Sequence, residues 1–382
     1  MHSWIKENQI GKMPDDELLV EILKCRNDTK IGHITLNSPE TLNSLTLNMV
    51  NEISELLDKW EADTQIKVII MDGSGDKAFC AGGDIRALYE SMCSADGPIF
   101  AETFFESEYR LNYKLHNFPK PIISILDGIV MGGGAGLMFG SSFKISTERT
   151  KFAMPEIGVG LFPDVGFTSV IKDLPEGLGL YIMLTSTQLN AADTLFCNLT
   201  DCSLSSEDLE KFFKEIQEIE WKDKKKDNLK ILNTIVHQDG YTNKLNNFPK
   251  SKLKDELSNI QFLTNASNLY EVAKNILSNP SNDEWYLKGK DSLKRGSPTS
   301  AHLIWLQCQN SSRLNLKKVF QFELNMAIQT TRMGDFKEGI RAVIIDKDNK
   351  AEWKYDSISN VPSEWLDRHT DVAWDKNPLE DL

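Results

Sequence analysis

Continuous apolar runs alternate with amphipathic stretches through the first half of the chain, and the two patterns predict two kinds of element. Ile31 to Leu36 (IGHITL) is short and β-rich, while Val68 to Met71 (VIIM) and Ile122 to Leu126 (IISIL) are continuous apolar runs. Runs of that type fill strands covered on both faces. Leu47, Val50, Ile53, Leu56, Leu57 and Trp60 recur at helical spacing and give one apolar face. Asp72-Gly73-Ser74-Gly75 closes the VIIM run as a turn, and Phe104 to His116 reads as a helix stopped by Pro119 and Pro121. The alternation predicts an α/β core of helices packed on sheets. From about Ser206 the texture changes: Glu207 to Lys230 reads as a charged helix and Leu303 to Met326 as another. The expected organisation is a catalytic core over residues 17–205, a mostly helical region over 206–355 and a tail over 356–382. No internal repeat or low-complexity tract interrupts it.

Composition narrows the partners. The 382 residues carry a net charge of -13, with 40% hydrophobic and 26% charged residues, an ordinary balance for a globular chain. An acidic protein is a poor binder of nucleic acid. Local Lys or Arg residues can still cradle a small anion. The cluster Lys222, Lys224, Lys225 and Lys226 is flanked by Glu215, Glu218, Glu220, Asp223 and Asp227, the mixed pattern of a solvated helix face. Six scattered cysteines without a C-x-x-C pair predict reduced thiols. Met1 to Ile10 has no apolar signal core, and Asp15, Asp16 and Glu17 are unlike an acidic-poor transit peptide. The expected compartment is therefore the cytoplasm, with the mitochondrial matrix as the alternative. Pro121 to Gly140 is long and apolar, but its glycines and Asp127 predict a buried strand and tight turn, not a membrane span.

Three segments carry candidate chemistry. Ala78-Phe79-Cys80-Ala81-Gly82-Gly83-Asp84-Ile85 follows a strand and turn, and its small residues let backbone N–H groups approach a ligand. A plain tight turn explains that segment equally well. Met131-Gly132-Gly133-Gly134-Ala135-Gly136 follows the strand at Ile122 and presents unpaired N–H donors at the positive end of a helix. Such donors hold an oxyanion or a phosphate. Neither a P-loop nor a G-x-G-x-x-G pattern fits, so the oxyanion reading leads. Phe152 to Gly166 places Glu156 and Asp164 in apolar, Gly/Pro-punctuated sequence. Burial raises the proton affinity of such acids into the range useful for proton transfer. An ordinary surface loop with two acids is the competing explanation. No G-x-S-x-G elbow supplies a serine nucleophile, and His2, His33, His116, His237, His302 and His369 form no zinc-binding pair. The carboxylates are left to do the work.

Together these segments resemble the crotonase (enoyl-CoA hydratase/isomerase) superfamily, and most closely its 3-hydroxyisobutyryl-CoA hydrolase branch, from about Leu36 through Trp353. The hallmarks are AFCAGGDIR, FFESEYRLN, MGGGAGL, FAMPEIGVGLFPDVG, Ser297-Pro298-Thr299-Ser300 and Asp335 to Ala342. The resemblance implies a crotonase-like spiral of ββα units with a mostly helical C-terminal region. It implies hydrolysis of a short branched acyl-CoA thioester, with CoA as part of the substrate and no metal or redox cofactor. Gly83 and Gly133 match the oxyanion-hole donors; Glu108, Gly133, Glu156 and Asp164 match the substrate-contacting positions. Lys77 and Arg86 are candidates for phosphate contacts. Hydratases that resemble this chain carry glutamate where this one has Gly136, which removes one of the two acids needed to add water across a double bond. Glu156 is then general base or nucleophile, with Asp164 orienting water or taking the nucleophile's part as in a dehalogenase branch. The alternatives are enoyl-CoA hydration or isomerisation, and a non-catalytic acyl-CoA-binding paralogue. Relatives are often trimers or hexamers, but the hydrolase branch differs in its C-terminal region, which leaves a homo-oligomer open.

Overall fold

The computed structural model describes residues 16–238, 241 and 248–382. Met1 to Ile10 and Asp15, on which the compartment reading drew, lie outside the described residues, as does His2. The chain divides into two compact units. One gathers Met1–Gly83, Lys114–Phe152 and Leu189–Lys252; the other gathers Asp84–Tyr113, Ala153–Gln188 and Leu253–Leu382.

The first unit is built on two sheets. The larger runs β1 (Leu18–Lys24), β2 (Lys30–Leu36), β3 (Ile66–Gly73), β5 (Ile122–Leu126), β7 (Phe143–Ser146) and β9 (Cys202–Ser203), in that spatial order. Only β1 pairs antiparallel; the others are parallel. The smaller sheet orders β4 (Ala78–Cys80), β6 (Ile129–Met131) and β8 (Lys151–Ala153). Three times along the chain a strand of the large sheet is followed by one of the small sheet and then by a helical segment. The series are β3, β4 and a helix at Ile85–Cys93; β5, β6 and a helix at Gly133–Gly140; β7, β8 and a 3-10 turn at Glu156–Val159. This is the ββα pattern that the resemblance implies. After β9 every regular element among the described residues is helical.

The continuous apolar runs are strands because both faces are covered. Leu23, Ile31, Val68, Ile70, Ile123, Ile125, Phe143 and Ile145 line one face of the large sheet and pack on Phe212, Phe213, Ile216, Leu232, Ile235 and Val236. Those last residues belong to the stretch read as one charged helix from Glu207. The structure breaks it into Leu209–Gln217 and Lys225–Val236. The break follows from Trp221, buried with its indole N–H donating to Ile216 O at 3.2 Å. Lys222 and Lys224 sit in that connection, exposed. The stretch Leu303 to Met326 likewise becomes two helices, Pro298–Asn310 and Leu316–Arg332, because Asn315 caps the second through the Lys318 N–H. The amphipathic run at Leu47 forms α1 (Leu47–Ala62), capped by Thr46. All six cysteines are free, and among the described residues no helix is long and apolar enough to cross a membrane.

Packing of α1 on the sheet depends on one missing side chain. A Cβ at Gly32 in β2 would lie 2.6 Å from the ring of Trp60. Gly32→Ala is therefore expected to cost about 1–3 kcal/mol of stability by overpacking. A lowered urea midpoint at unchanged slope reports this, and an unchanged midpoint contradicts it.

Candidate active site

In the first unit, β4 and β6 pair in parallel through Ala78–Ile129 and Cys80–Val130, so the turns that follow them leave the same end of the small sheet. The first turn is pinned by Leu45 N–H to Gly82 O at 2.8 Å and by Ala81 N–H to Leu42 O at 3.0 Å. The second begins at Gly132, whose φ of 48° and ψ of -124° suit glycine alone, and opens the buried helix Gly133–Gly140. A Cβ at Gly134 would lie 2.2 Å from Cys80 O, so this helix starts hard against β4. A Cβ at Gly82 would lie 3.9 Å from Gly133 N, which makes the two turns neighbours. Gly133 is the first residue of its helix, where an N–H has no intrahelical acceptor. Among the described residues no oxygen accepts from the N–H of Gly83 or Gly133. Two adjacent turns thus present a donor each, the arrangement an oxyanion requires. Gly136, in the same helix, is buried with apolar neighbours.

The second unit holds the acids. Glu108 lies on the helix Ile99–Asn117, Glu156 opens the 3-10 turn, and Asp164 sits on the loop beyond it; all three are buried. Ionised carboxylates are rarely buried without a partner. Burial first, and then the nearby Asp164, push the carboxyls of Glu108 and Glu156 well above the usual range. One oxygen of each, Glu108 Oε1 and Glu156 Oε2, has no hydrogen-bond partner among the described residues. Burial pushes Asp164 up to about 6, against the pull of Tyr109, whose hydroxyl donates to Asp164 Oδ2 at 2.5 Å. The structure therefore brings Glu108, Glu156 and Asp164 into one electrostatic cluster, and Gly83 and Gly133 into one pair of turns. Lys77 in the first unit and Arg86 in the second are both exposed.

Two functional candidates escaped the sequence reading. Tyr109 follows Glu108 in a motif whose acid drew attention first. Glu323, fully buried, accepts the N–H of Gly166 at 2.6 Å and of Thr168 at 3.0 Å. Burial pushes its carboxyl up to about 8. A signal existed: Val319, Phe320, Glu323, Leu324 and Ala327 fall on one buried helical stripe, and an acid there is out of place. Glu323 clamps a strained turn. Val165, β-branched, has a φ of 50°, and Gly166 follows at 89°. Gln307 adds two further bonds from its amide, to Pro163 O at 2.5 Å and Thr168 Oγ1 at 2.9 Å.

The two late hallmarks serve as scaffold. Ser297 N–H donates to Ile157 O at 2.9 Å and its hydroxyl to Asp335 Oδ2 at 2.7 Å. A Cβ at Gly160 would lie 2.3 Å from Asp335 O, and one at Gly339 would lie 2.2 Å from Val159. Both motifs press on the turn that carries Glu156.

Comparison with known proteins identifies the family. A family model described as enoyl-CoA hydratase/isomerase matches residues 31–370, and the chain belongs to that family. Among curated relatives, the mitochondrial 3-hydroxyisobutyryl-CoA hydrolase of Danio rerio is 35% identical over 339 residues, covering 89% of this chain and 86% of the relative. The Homo sapiens protein of the same name is 34% identical over 354 residues, covering 93% and 88%. A solved enoyl-CoA hydratase from Rhodobacter sphaeroides 2.4.1 aligns with a TM-score of 0.80 at 27% identity, covering 94% of this chain and 98% of that one. A carnitinyl-CoA dehydratase from Mycobacterium thermoresistibile aligns at 0.81 and 26%, covering 96% and 100%. The fold is the crotonase fold.

The raised acids fix the sign of a pH dependence. Folding raises Glu323 from 4.5 to about 8 and Asp164 from 3.8 to about 6. The folded chain then holds protons that the unfolded chain has released. Their contribution to stability is complete below pH 4 and is lost as pH rises through 6 and then 8. Urea midpoints are expected to fall from pH 5 to pH 8, and Glu323→Gln to flatten the upper part of that fall. A wild-type midpoint that rises over this window contradicts the burial of these acids.

Proposed function

We propose that this protein hydrolyses a short branched acyl-CoA thioester, namely 3-hydroxyisobutyryl-CoA to 3-hydroxyisobutyrate and CoA, a step of valine breakdown. The observation that carries the reading is a buried Glu156 in a chain that has glycine at position 136. An acid set built for hydration needs a second carboxylate there; attack on a thioester carbonyl does not. The names of the curated relatives support the same substrate.

In this reading the thioester oxygen accepts hydrogen bonds from the N–H groups of Gly83 and Gly133, which stabilise the charge of the tetrahedral intermediate. Loss of one such donor typically costs about 10²–10³-fold in rate. The acids divide by proton affinity. Asp164, pushed up to about 6, is largely ionised at neutral pH and takes the proton from attacking water. Glu156, held well above the usual range, keeps its proton and delivers it to the departing sulfur. The sequence alone gave Glu156 the part of base or nucleophile; the proton distribution favours this exchange of parts. Glu108 positions the polar end of the acyl group. Lys77 and Arg86 remain the candidates for the CoA phosphates. No metal or redox group takes part, so dialysis against EDTA should leave the rate unchanged. The curated relatives carry the word mitochondrial in their names, which favours the matrix over the cytoplasm for this chain as well. Assembly into a homo-oligomer belongs to the same proposal and is read by light scattering.

Release of free thiol from 3-hydroxyisobutyryl-CoA, set against loss of enoyl absorbance from crotonyl-CoA, separates hydrolysis from hydration. Thiol release is expected to dominate. Glu156→Gln should keep the fold and ligand binding while slowing thiol release by about 10²–10⁴-fold. Turnover near that of the wild type would remove Glu156 from the reaction.

A further inference from the structure

Asp164 is surrounded by acids. Glu108 and Tyr109 face it from the helix Ile99–Asn117, Glu156 from the 3-10 turn, and Glu323 from the helix Leu316–Arg332. The helix Pro298–Asn310 contributes the neutral Gln307 to this loop. Among the described residues no lysine, arginine or histidine stabilises the charge on Asp164. Its side-chain partner among the described residues is the Tyr109 hydroxyl, at 2.5 Å and fully buried. The phenol ring is held from two sides, by Phe105 and Phe320, with centroids 5.9 Å away in each case. The hydroxyl therefore has a fixed direction, and Asp164 a fixed rotamer, on a turn already clamped by Gln307 and Glu323.

We propose that Tyr109 is the positioning residue that selects Asp164, over Glu108 and Glu156, as the carboxyl that carries negative charge. A hydrogen bond to an ionised acceptor is stronger than one to a neutral acceptor, so the phenol favours the charged form of the single acid it touches. Glu108 and Glu156, each with an oxygen left unpartnered, stay protonated by default. The catalytic meaning of this rests on the thioester reading, but the proton distribution does not.

The test is the pH dependence of Tyr109→Phe, which keeps the ring and deletes the donor. The acid limb of kcat/KM for thiol release should move up by about one pH unit. Activity at pH 6 should then fall about fivefold while the plateau at higher pH changes less than threefold. Gly32→Ala, which strains the packing of Trp60 and leaves Tyr109 and its ring contacts untouched, should lower thermal stability without moving the limb. A uniform loss at every pH, or a limb that superimposes on the wild type, overturns the proposal. A second readout needs no turnover: pH-difference infrared spectra of the free protein should show one carboxyl titrating about one unit higher in Tyr109→Phe. Absence of thiol release by the wild type sinks the hydrolase reading alone, since the infrared shift still decides the role of Tyr109. Should the phenylalanine variant fail to fold, Tyr109→3-fluorotyrosine offers a more acidic donor, and the same carboxyl should titrate lower; no movement again counts against the proposal.

Discussion

The second unit is governed by a shortage of positive charge. Glu108, Glu156, Asp164 and Glu323 are all withdrawn from water, and among the described residues no cation offsets them. Desolvation of an isolated carboxylate is too costly for four such charges to coexist, so most of the group must exist as neutral acids. What remains negotiable is where the residual charge resides, and backbone amides and one phenol settle it. Glu323 receives two main-chain N–H groups, and Asp164 receives the hydroxyl of Tyr109. Neutral acids beside an ionised one are the raw material of acid–base catalysis, and burial is one way to obtain them.

The architecture was legible where one local pattern dominated. The runs at Ile31, Val68 and Ile122 and the amphipathic stretch at Leu47 became strands and a helix close to where they were read. Short strands such as β4 and β6, three residues each, offer too little sequence for a period to emerge. The two long helical stretches were overread because their polar positions look alike whether they face solvent or form a connection. Only the burial of Trp221 and the cap at Asn315 place the breaks, and both depend on tertiary structure. The texture change near Ser206 marks the end of the strands, whereas compactness gathers distant stretches of chain, a grouping that periodicity does not encode.

The site was legible by residue type more than by role. Glycine runs and acids in apolar surroundings announce themselves, since each breaks a local expectation. Tyr109 does not, because a tyrosine on a buried helical face is unremarkable until its hydroxyl meets a carboxylate 55 residues further along. Ser297 and Asp335 stood out as family hallmarks, and the structure gives them mechanical work: they brace Ile157 and Gly160 around the turn that bears Glu156. A strongly shared motif can thus reflect the rigidity that chemistry demands as much as the chemistry itself.

The interleaving of the two units has a consequence for biosynthesis. The segment Asp84–Tyr113 emerges from the ribosome early, yet the unit to which it belongs is completed only by Leu253–Leu382. Gln307 and Glu323, which fix the loop bearing Asp164, are separated from that loop by more than a hundred residues of chain. Closing such long loops is entropically unfavourable until the whole set of partners is present. A nascent chain that stops short of the helix Leu316–Arg332 therefore has its acids in place along the sequence but lacks the clamp that orders them. Competence is delayed until that helix has been made, and termination before it yields a silent fragment, not a poorly controlled enzyme.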